Sequence, residues 1–226
     1  MKLSHLYILI SFIFLSIPLA AQDIFYSEIG AKWKFNPSKE DRWSYTLGSA
    51  YRGDFYDSEK PGYNTSFLQF NAVPSFTINS NQAVSWEFRY RIKKLFDNQL
   101  TDEKRLIQQY NHNYNPNNLN FKGRLRVEQR FRKNFNLRNR YKLGATLALN
   151  RNIDNLKNWF LTMDTEFLWN IFPEKRPTFD QRFSLILEKP ISAETTFKLQ
   201  TQYRYLDYTY QGRDVWLIHT VLSISL

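Results

Sequence analysis

The chain has no cysteine and only three histidines among its 226 residues, which restricts the chemistry that it can perform. Without thiols it cannot form a disulfide framework, a thiolate metal site or a cysteine nucleophile. His5, His112 and His219 are too few for a histidine-rich zinc site. Glycine and proline are also scarce, at 7 and 8 residues, whereas 42% of the residues are hydrophobic and 17% aromatic, which excludes collagen-like and disordered chains.

Long hydrophobic runs are absent after the N-terminus, so no later segment can cross a membrane as a helix. The N-terminus itself has a basic residue at Lys2, an apolar stretch over residues 6–19 and small residues up to Ala21. This order predicts a cleaved signal peptide over residues 1–21, followed by a single domain over residues 22–226. The alternative is an uncleaved membrane anchor, but a spanning helix needs about 20 apolar residues.

The rest of the chain alternates apolar and polar residues with the period of two that is typical of β-strands. The clearest segment is 84–93, in which one face is wholly apolar and the other carries Glu87, Arg89, Arg91 and Lys93. A helix would scatter these charges around its circumference. We therefore expect an all-β protein.

Ten segments have this pattern, and turn-forming residues separate them, so we expect consecutive strands to be antiparallel neighbours. Most are longer than the usual five or six residues of globular sheets, and long enough for a tilted strand to cross a bilayer, which takes about 9–11 residues. The predicted strands are 25–35, 42–53, 66–78, 84–93, 119–132, 137–149, 159–171, 179–189, 196–205 and 215–226.

Periodicity does not say which face points outward, and a soluble lipocalin-like barrel or a sandwich would show the same alternation. Three features favour a transmembrane barrel with its apolar face outside. The apolar faces carry many large side chains that would crowd the interior of a barrel of this size. All six tryptophans fall on the apolar face, most of them near strand ends, where interfacial aromatic residues belong: Trp33, Trp43, Trp86, Trp159, Trp169 and Trp216. The last strand ends the chain with an apolar face that resembles the assembly signal of outer-membrane proteins: Trp216, Ile218, Leu222, Ile224 and Leu226.

The formal charge of +10 first suggests a nucleic acid or an anionic membrane as partner. In a closed barrel the strand charges instead point into the lumen, the interior of the barrel, so we expect no nucleic-acid partner. There we expect acidic side chains to pair with Lys and Arg, namely Glu28, Glu87, Glu128, Asp164, Glu166, Asp180 and Glu188. The basic side chains form three rows, Arg89/Arg91/Lys93, Arg124/Arg126/Arg130 and Arg138/Arg140/Lys142, and these predict an anion preference if the barrel conducts.

Several segments of the chain resemble a known family. They are the signal peptide, the Trp-rich hairpins, the arginine-rich stretch 124–131, the segment 137–141 and the hairpin around 202–205. Together they look like the uncharacterised outer-membrane proteins grouped as domain of unknown function 2490. The resemblance spans essentially the whole mature chain, and it implies a Gram-negative outer-membrane β-barrel. It transfers no catalytic residue.

The number of strands follows less directly, because bacterial barrels normally have an even number, with both termini periplasmic and longer loops outside. Ten strands put the long connections 54–64 and 96–118 on the periplasmic side. Counting 104–114 as a weak strand gives eleven, but the first strand then starts from the outside. A further strand near residues 22–30 would give twelve, so the prediction is ten to twelve.

Function is predicted as non-enzymatic, either a narrow anion-preferring channel or a structural barrel filled by its side chains, with outer-membrane lipid and the barrel-assembly machinery as partners. No cofactor or metal motif is present. One alternative is a surface-binding or envelope-organising protein that acts through its loops, with Tyr56 and Tyr63 as contacts. Another is a lipid-modifying enzyme that uses His219, although a histidine paired with a carboxylate in the lumen is the favoured explanation of that residue. His112 is expected to be exposed or interfacial.

Overall fold

The computed structural model describes residues 24–38, 41–57, 64–93, 102–116, 119–149 and 158–225, and in these ranges the chain is all β. The predicted signal peptide over residues 1–21 lies outside the described residues. The strands are β1 (Ile24–Phe35), β2 (Trp43–Asp57), β3 (Asn64–Asn79), β4 (Gln82–Lys93), β5 (Glu103–Tyr114), β6 (Leu119–Phe131), β7 (Asn136–Ala148), β8 (Phe160–Ile171), β9 (Thr178–Pro190), β10 (Thr195–Leu206) and β11 (Arg213–Ser225).

These eleven strands close into one barrel. Consecutive strands are antiparallel, as the turn residues predict, whereas β1 and β11 pair in parallel from Ile24 opposite Val215 to Lys34 opposite Ser225. The parallel seam follows from the odd number, because ten reversals of direction leave the first and last strands pointing the same way. Closure pairs every strand on both sides and leaves no open edge.

The weak segment 104–114 is a full strand, since β5 pairs along its whole length with β4 and with β6. Eleven strands is therefore the correct alternative, and ten and twelve are wrong. The described part of the segment 22–30 belongs to β1 itself. Most of the other predicted strand boundaries agree with the observed ones within two residues. Strand β2 instead continues to Asp57, which shortens the predicted loop 54–64. Residues 58–63 of that loop, with Tyr63, lie outside the described residues.

The barrel has its polar side chains inside. Among the described residues, seven buried side chains are hydrophobic and eighteen are polar or charged. Large apolar side chains instead lie exposed on the outer face. Examples are Phe88, Leu125, Met163 and Phe183, which are 57%, 53%, 59% and 52% exposed respectively. A lipocalin-like barrel or a sandwich would bury its apolar face, so those alternatives are wrong.

Aromatic side chains gather near the strand ends on the outer face. Trp43 stacks on Trp86 with ring centroids 6.1 Å apart, and Trp169 stacks on Phe179 at the same separation. Trp33, Trp86 and Trp169 are each more than a third exposed. These four tryptophans therefore lie on the outer face, as the sequence pattern predicts.

Strand β1 begins at one end of the barrel, and strand β11 finishes at the other end. At the C-terminal end, where β11 finishes, the connections are 36–42, 80–81, 115–118, 149–159 and 191–194. At the opposite end, where β1 begins, they are 58–63, 94–102, 132–135, 172–177 and 207–212. Within the described ranges, no helix is long and apolar enough to cross a membrane.

Candidate functional site

The interior of the barrel contains a cavity of about 1060 Å³ that is strongly basic. Fifteen Lys and Arg side chains line it, against five Asp and Glu. Eight of the nine residues in the predicted basic rows are among the lining residues: Arg89, Arg91, Arg124, Arg126, Arg130, Arg138, Arg140 and Lys142. The ninth, Lys93, is not; its Nζ atom lies 3.9 Å from Glu103 Oε2 instead.

Glu103 is the centre of one group of ion pairs. Its side chain is 0% exposed, and Oε1 accepts hydrogen bonds from Arg105 and from Arg130, the latter over 2.9 Å. Arg132 Nε lies 2.7 Å from the other oxygen. One carboxylate is thus surrounded by three guanidinium groups. A buried charge needs such partners, because it has lost its hydration.

Arg140 links two further buried carboxylates. Its Nη1 donates to Glu128 over 2.5 Å, and its Nη2 donates to Glu166 over 2.5 Å. Glu166 also accepts from Arg124 over 2.6 Å, from a strand two places away along the barrel wall. Arg105 lies 3.5 Å from Glu128, which joins this group to the pairs around Glu103. The ion pairs therefore form a continuous chain across β5 to β8.

Smaller groups of charges complete the predicted pairing. Glu87 accepts from Arg89 and has Arg126 at 3.8 Å. Lys142 lies 2.5 Å from Asp164, and Lys198 lies 3.0 Å from Glu188.

Asp180 departs from the predicted pairing. Its carboxylate accepts from Asn170 Nδ2 over 3.1 Å and from the backbone N–H of Asp207 over 3.0 Å, so neutral donors hold it rather than a Lys or Arg. The Asp180 side chain lies close to the end of the barrel at which β1 begins, where Asp207 of the β10–β11 connection contacts it. A sequence pattern does not reveal such a contact.

Four arginines are hydrogen-bonded to neutral side-chain amides in place of carboxylates, and one of them is Arg126, whose Nε donates to Gln109 over 2.9 Å. Arg91 Nη2 donates to Gln69 over 2.7 Å, Arg204 Nε donates to Gln202 over 2.5 Å, and Arg138 Nε donates to Asn170. The basic excess of the lumen is therefore concentrated at particular residues. Arg52, Arg182 and Arg204 are not identified as site residues from the sequence, although each lies at a polar position of an alternating segment. Glu103 is missed because it precedes the weak segment 104–114 and begins β5.

The two histidines of the described chain have different environments. His219 faces the lumen, and its Nε2 lies 3.2 Å from Glu28 Oε1, which confirms the predicted histidine–carboxylate pair. The same carboxylate accepts from Arg52 Nε over 2.8 Å. His112 lies on the outer face of β5 and is exposed, as predicted, beside an apolar groove of about 720 Å³. Among the described residues, no group of three or more His, Asp or Glu is placed to hold a metal ion.

These features define a closed β-barrel with an apolar exterior and a charged, predominantly basic interior. The chain belongs to the family described as protein of unknown function (DUF2490), whose model matches residues 23–215. The resemblance found in the sequence is thereby confirmed as family membership. No curated protein and no solved structure matches the chain.

Proposed function

We propose that this protein is an outer-membrane β-barrel of a Gram-negative bacterium whose basic lumen makes it a narrow, anion-preferring channel. The observation that carries the proposal is a cavity lined by fifteen basic and five acidic side chains inside a barrel with an apolar exterior. The charge and the inside-out distribution of polarity are both what a membrane-embedded water-filled lumen requires.

The exterior supports the membrane location. Strands of 12 to 16 residues exceed the roughly 9–11 residues that a tilted strand needs to cross the hydrocarbon core. The outward positions of β11 include Trp216, Ile218, Leu222 and Ile224, which give the last strand a lipid-compatible face and a surface for the barrel-assembly machinery. Outer-membrane lipid is accordingly the proposed partner of the outer face.

The interior supports the anion preference. Glu103, Glu128 and Asp164 lie behind the lining residues and neutralise part of the charge, but eight acids still face fifteen bases. A cation that enters the lumen comes within a few ångströms of the surplus basic side chains. Because this separation is shorter than the screening length of about 8 Å at physiological salt, salt does not screen the repulsion. Anions are attracted by the same field.

The proposed role is non-enzymatic. The nearest candidate for catalysis, His219, is engaged with Glu28, and lumen carboxylates such as Glu128 and Glu166 are held in ion pairs with arginines. Such pairing favours a fixed electrostatic lining over a set of groups that take up and release protons.

The test is a reversal-potential measurement on the purified barrel in planar bilayers across a salt gradient, after heat-dependent gel mobility has confirmed folding. We expect discrete channels that prefer anions. Arg126→Gln and Arg140→Gln should each lower the anion-to-cation permeability ratio, because both side chains line the cavity. The matched control is Arg42→Gln, which removes the same charge from an exposed position outside the cavity. Unchanged selectivity in both lumen variants would contradict the proposal.

A further inference from the structure

We propose that Arg138, Arg182 and Arg204 form a binding site for a phosphate-type oxyanion in the lumen. The site lies near the end of the barrel at which β1 begins. The inference deepens the proposed function, since it assigns the anion preference to three named side chains. It depends on the arrangement of the lumen and holds whether or not the barrel conducts.

The three-arginine cluster is brought together by strand register. Arg182 in β9 lies directly opposite Arg204 in β10. Arg138 in β7 lies opposite Asn170 in β8, and the amide of Asn170 reaches across to Asp180, two residues before Arg182 in β9. All three arginines line the same cavity. The cluster therefore spans four neighbouring strands of the barrel wall, β7 to β10, and faces one cavity.

The cluster makes few close contacts with carboxylates, although Glu128 lies opposite Arg138 and Glu166 lies opposite Arg182 in strand register. Arg138 and Arg204 donate to the neutral amides of Asn170 and Gln202. Arg182 has a carboxylate oxygen only at 3.5 Å, and Arg140 already holds that oxygen of Glu166 at 2.5 Å.

Further donors of the cluster have no acceptor among the described residues. Arg182 is 9% exposed, and its Nε has no hydrogen-bond partner among the described residues. The remaining nearby carboxylate, Asp180, is occupied by Asn170 and by the backbone of Asp207. Each guanidinium carries five N–H donors, so within the described ranges most of those in the cluster are not used by protein acceptors.

The arginines around Glu103 show the contrast. There a single buried carboxylate receives Arg105, Arg130 and Arg132 within 3 Å, so its neighbours have a fixed counter-charge. In the three-arginine cluster the carboxylate contact found among the described residues is the longer one of 3.5 Å between Arg182 and Glu166, so a solute anion can supply further counter-charge. Grouping buried like charges without one is unfavourable, because each has lost hydration and repels the others.

The chemistry of the cluster selects the class of ligand. A guanidinium presents parallel N–H donors that match the oxygens of a phosphate or carboxylate in bidentate geometry. Three such groups, whose nearby acids Glu166 and Asp180 are already held by other donors, favour a ligand with several oxygens and more than one negative charge, which a phosphate dianion provides and chloride does not. The site lies on the inner face of the barrel wall, so the phosphate belongs to a water-soluble solute entering the lumen and not to a lipid headgroup on the outer face.

The experiment measures inorganic phosphate binding to the folded barrel in a phospholipid-free detergent by isothermal titration calorimetry, in sulfate-free buffer. We expect one site per barrel. Arg182→Gln and Arg204→Gln should each weaken binding by about tenfold or more, as the loss of a charge-assisted hydrogen bond predicts. Arg182→Lys keeps the charge but loses the fork, and it should lie between wild type and Arg182→Gln. If Arg182→Gln fails to fold, Arg204→Gln and Arg182→Lys carry the test.

The matched control is Arg89→Gln, which removes a lumen arginine that already has a carboxylate partner in Glu87. We expect it to change phosphate affinity by less than about twofold, since it lies outside the cluster and long-range charge effects are screened. Equal weakening by Arg89→Gln would overturn the site in favour of a diffuse positive field, as would full displacement of phosphate by equimolar chloride. Phosphate binding without conductance would refute the channel alone, whereas anion-selective conductance without phosphate binding would refute the site alone.

Discussion

Glu103→Gln should lower the free energy of unfolding of the barrel by about 3–5 kcal/mol, the range found when one partner of a buried ion pair is removed. The side chain is 0% exposed and has Arg130 at 2.9 Å and Arg132 at 2.7 Å. Because no solvent screens the carboxylate, its loss leaves these guanidinium groups without their counter-charge. The neutral amide retains the shape of the side chain, so the effect is electrostatic and not the result of a cavity.

The assay is urea unfolding of the barrel in detergent micelles, followed by tryptophan fluorescence. Glu188→Gln is the control, because its partner Lys198 lies at a similar distance of 3.0 Å but the two side chains are 23% and 35% exposed. Exposed pairs contribute about 0–1 kcal/mol, so this variant should unfold close to wild type. Equal losses in the two variants would refute the reasoning that burial makes the Glu103 pairs important.

Two further changes test other parts of the account. Leu143→Arg places a charge on the outer face, where Leu143 is 44% exposed, and it should destabilise the barrel in lipid vesicles by up to about 2–4 kcal/mol. Leu143→Gln is the control and should destabilise the barrel less. Equal effects of the two variants would argue against a lipid-facing surface. His219→Ala should leave the lipid composition of the host membrane unchanged in mass spectrometry, because the histidine is paired with Glu28; an altered lipid profile would revive the enzymatic alternative.

The sequence predicts most strands because their alternation is strict. In β4 the charges at Glu87, Arg89 and Arg91 lie inside, whereas Trp86 and Phe88 lie outside. The strand and its two faces can therefore be predicted from the alternation alone. β5 is weaker for a physical reason. Its inward face includes Ile107, which is 0% exposed, so the strand mixes apolar and polar residues on one face.

The closure and the pairing of charges could not be predicted in the same way. A period of two gives the face of each residue but not the partner of each strand, so the parallel seam between β1 and β11 is not visible in the sequence. Ion pairs such as Arg124 with Glu166 cross from β6 to β8, and strand tilt and register decide which side chains meet. The sequence therefore predicts a basic lumen, whereas the three-arginine cluster emerges only from the structure.

The absence of native cysteine makes one measurement especially direct for the central claim, that the apolar face meets lipid and the charged face meets water. Single cysteines are introduced at Gln109, which lines the cavity, and at Leu125, which is 53% exposed on the outer face, and the barrel is reconstituted in lipid vesicles. We predict that Gln109→Cys reacts with a small, charged, water-soluble thiol reagent, and that Leu125→Cys reacts only with a lipid-soluble one. Reaction of Leu125→Cys with the water-soluble reagent, together with protection of Gln109→Cys, would contradict the account.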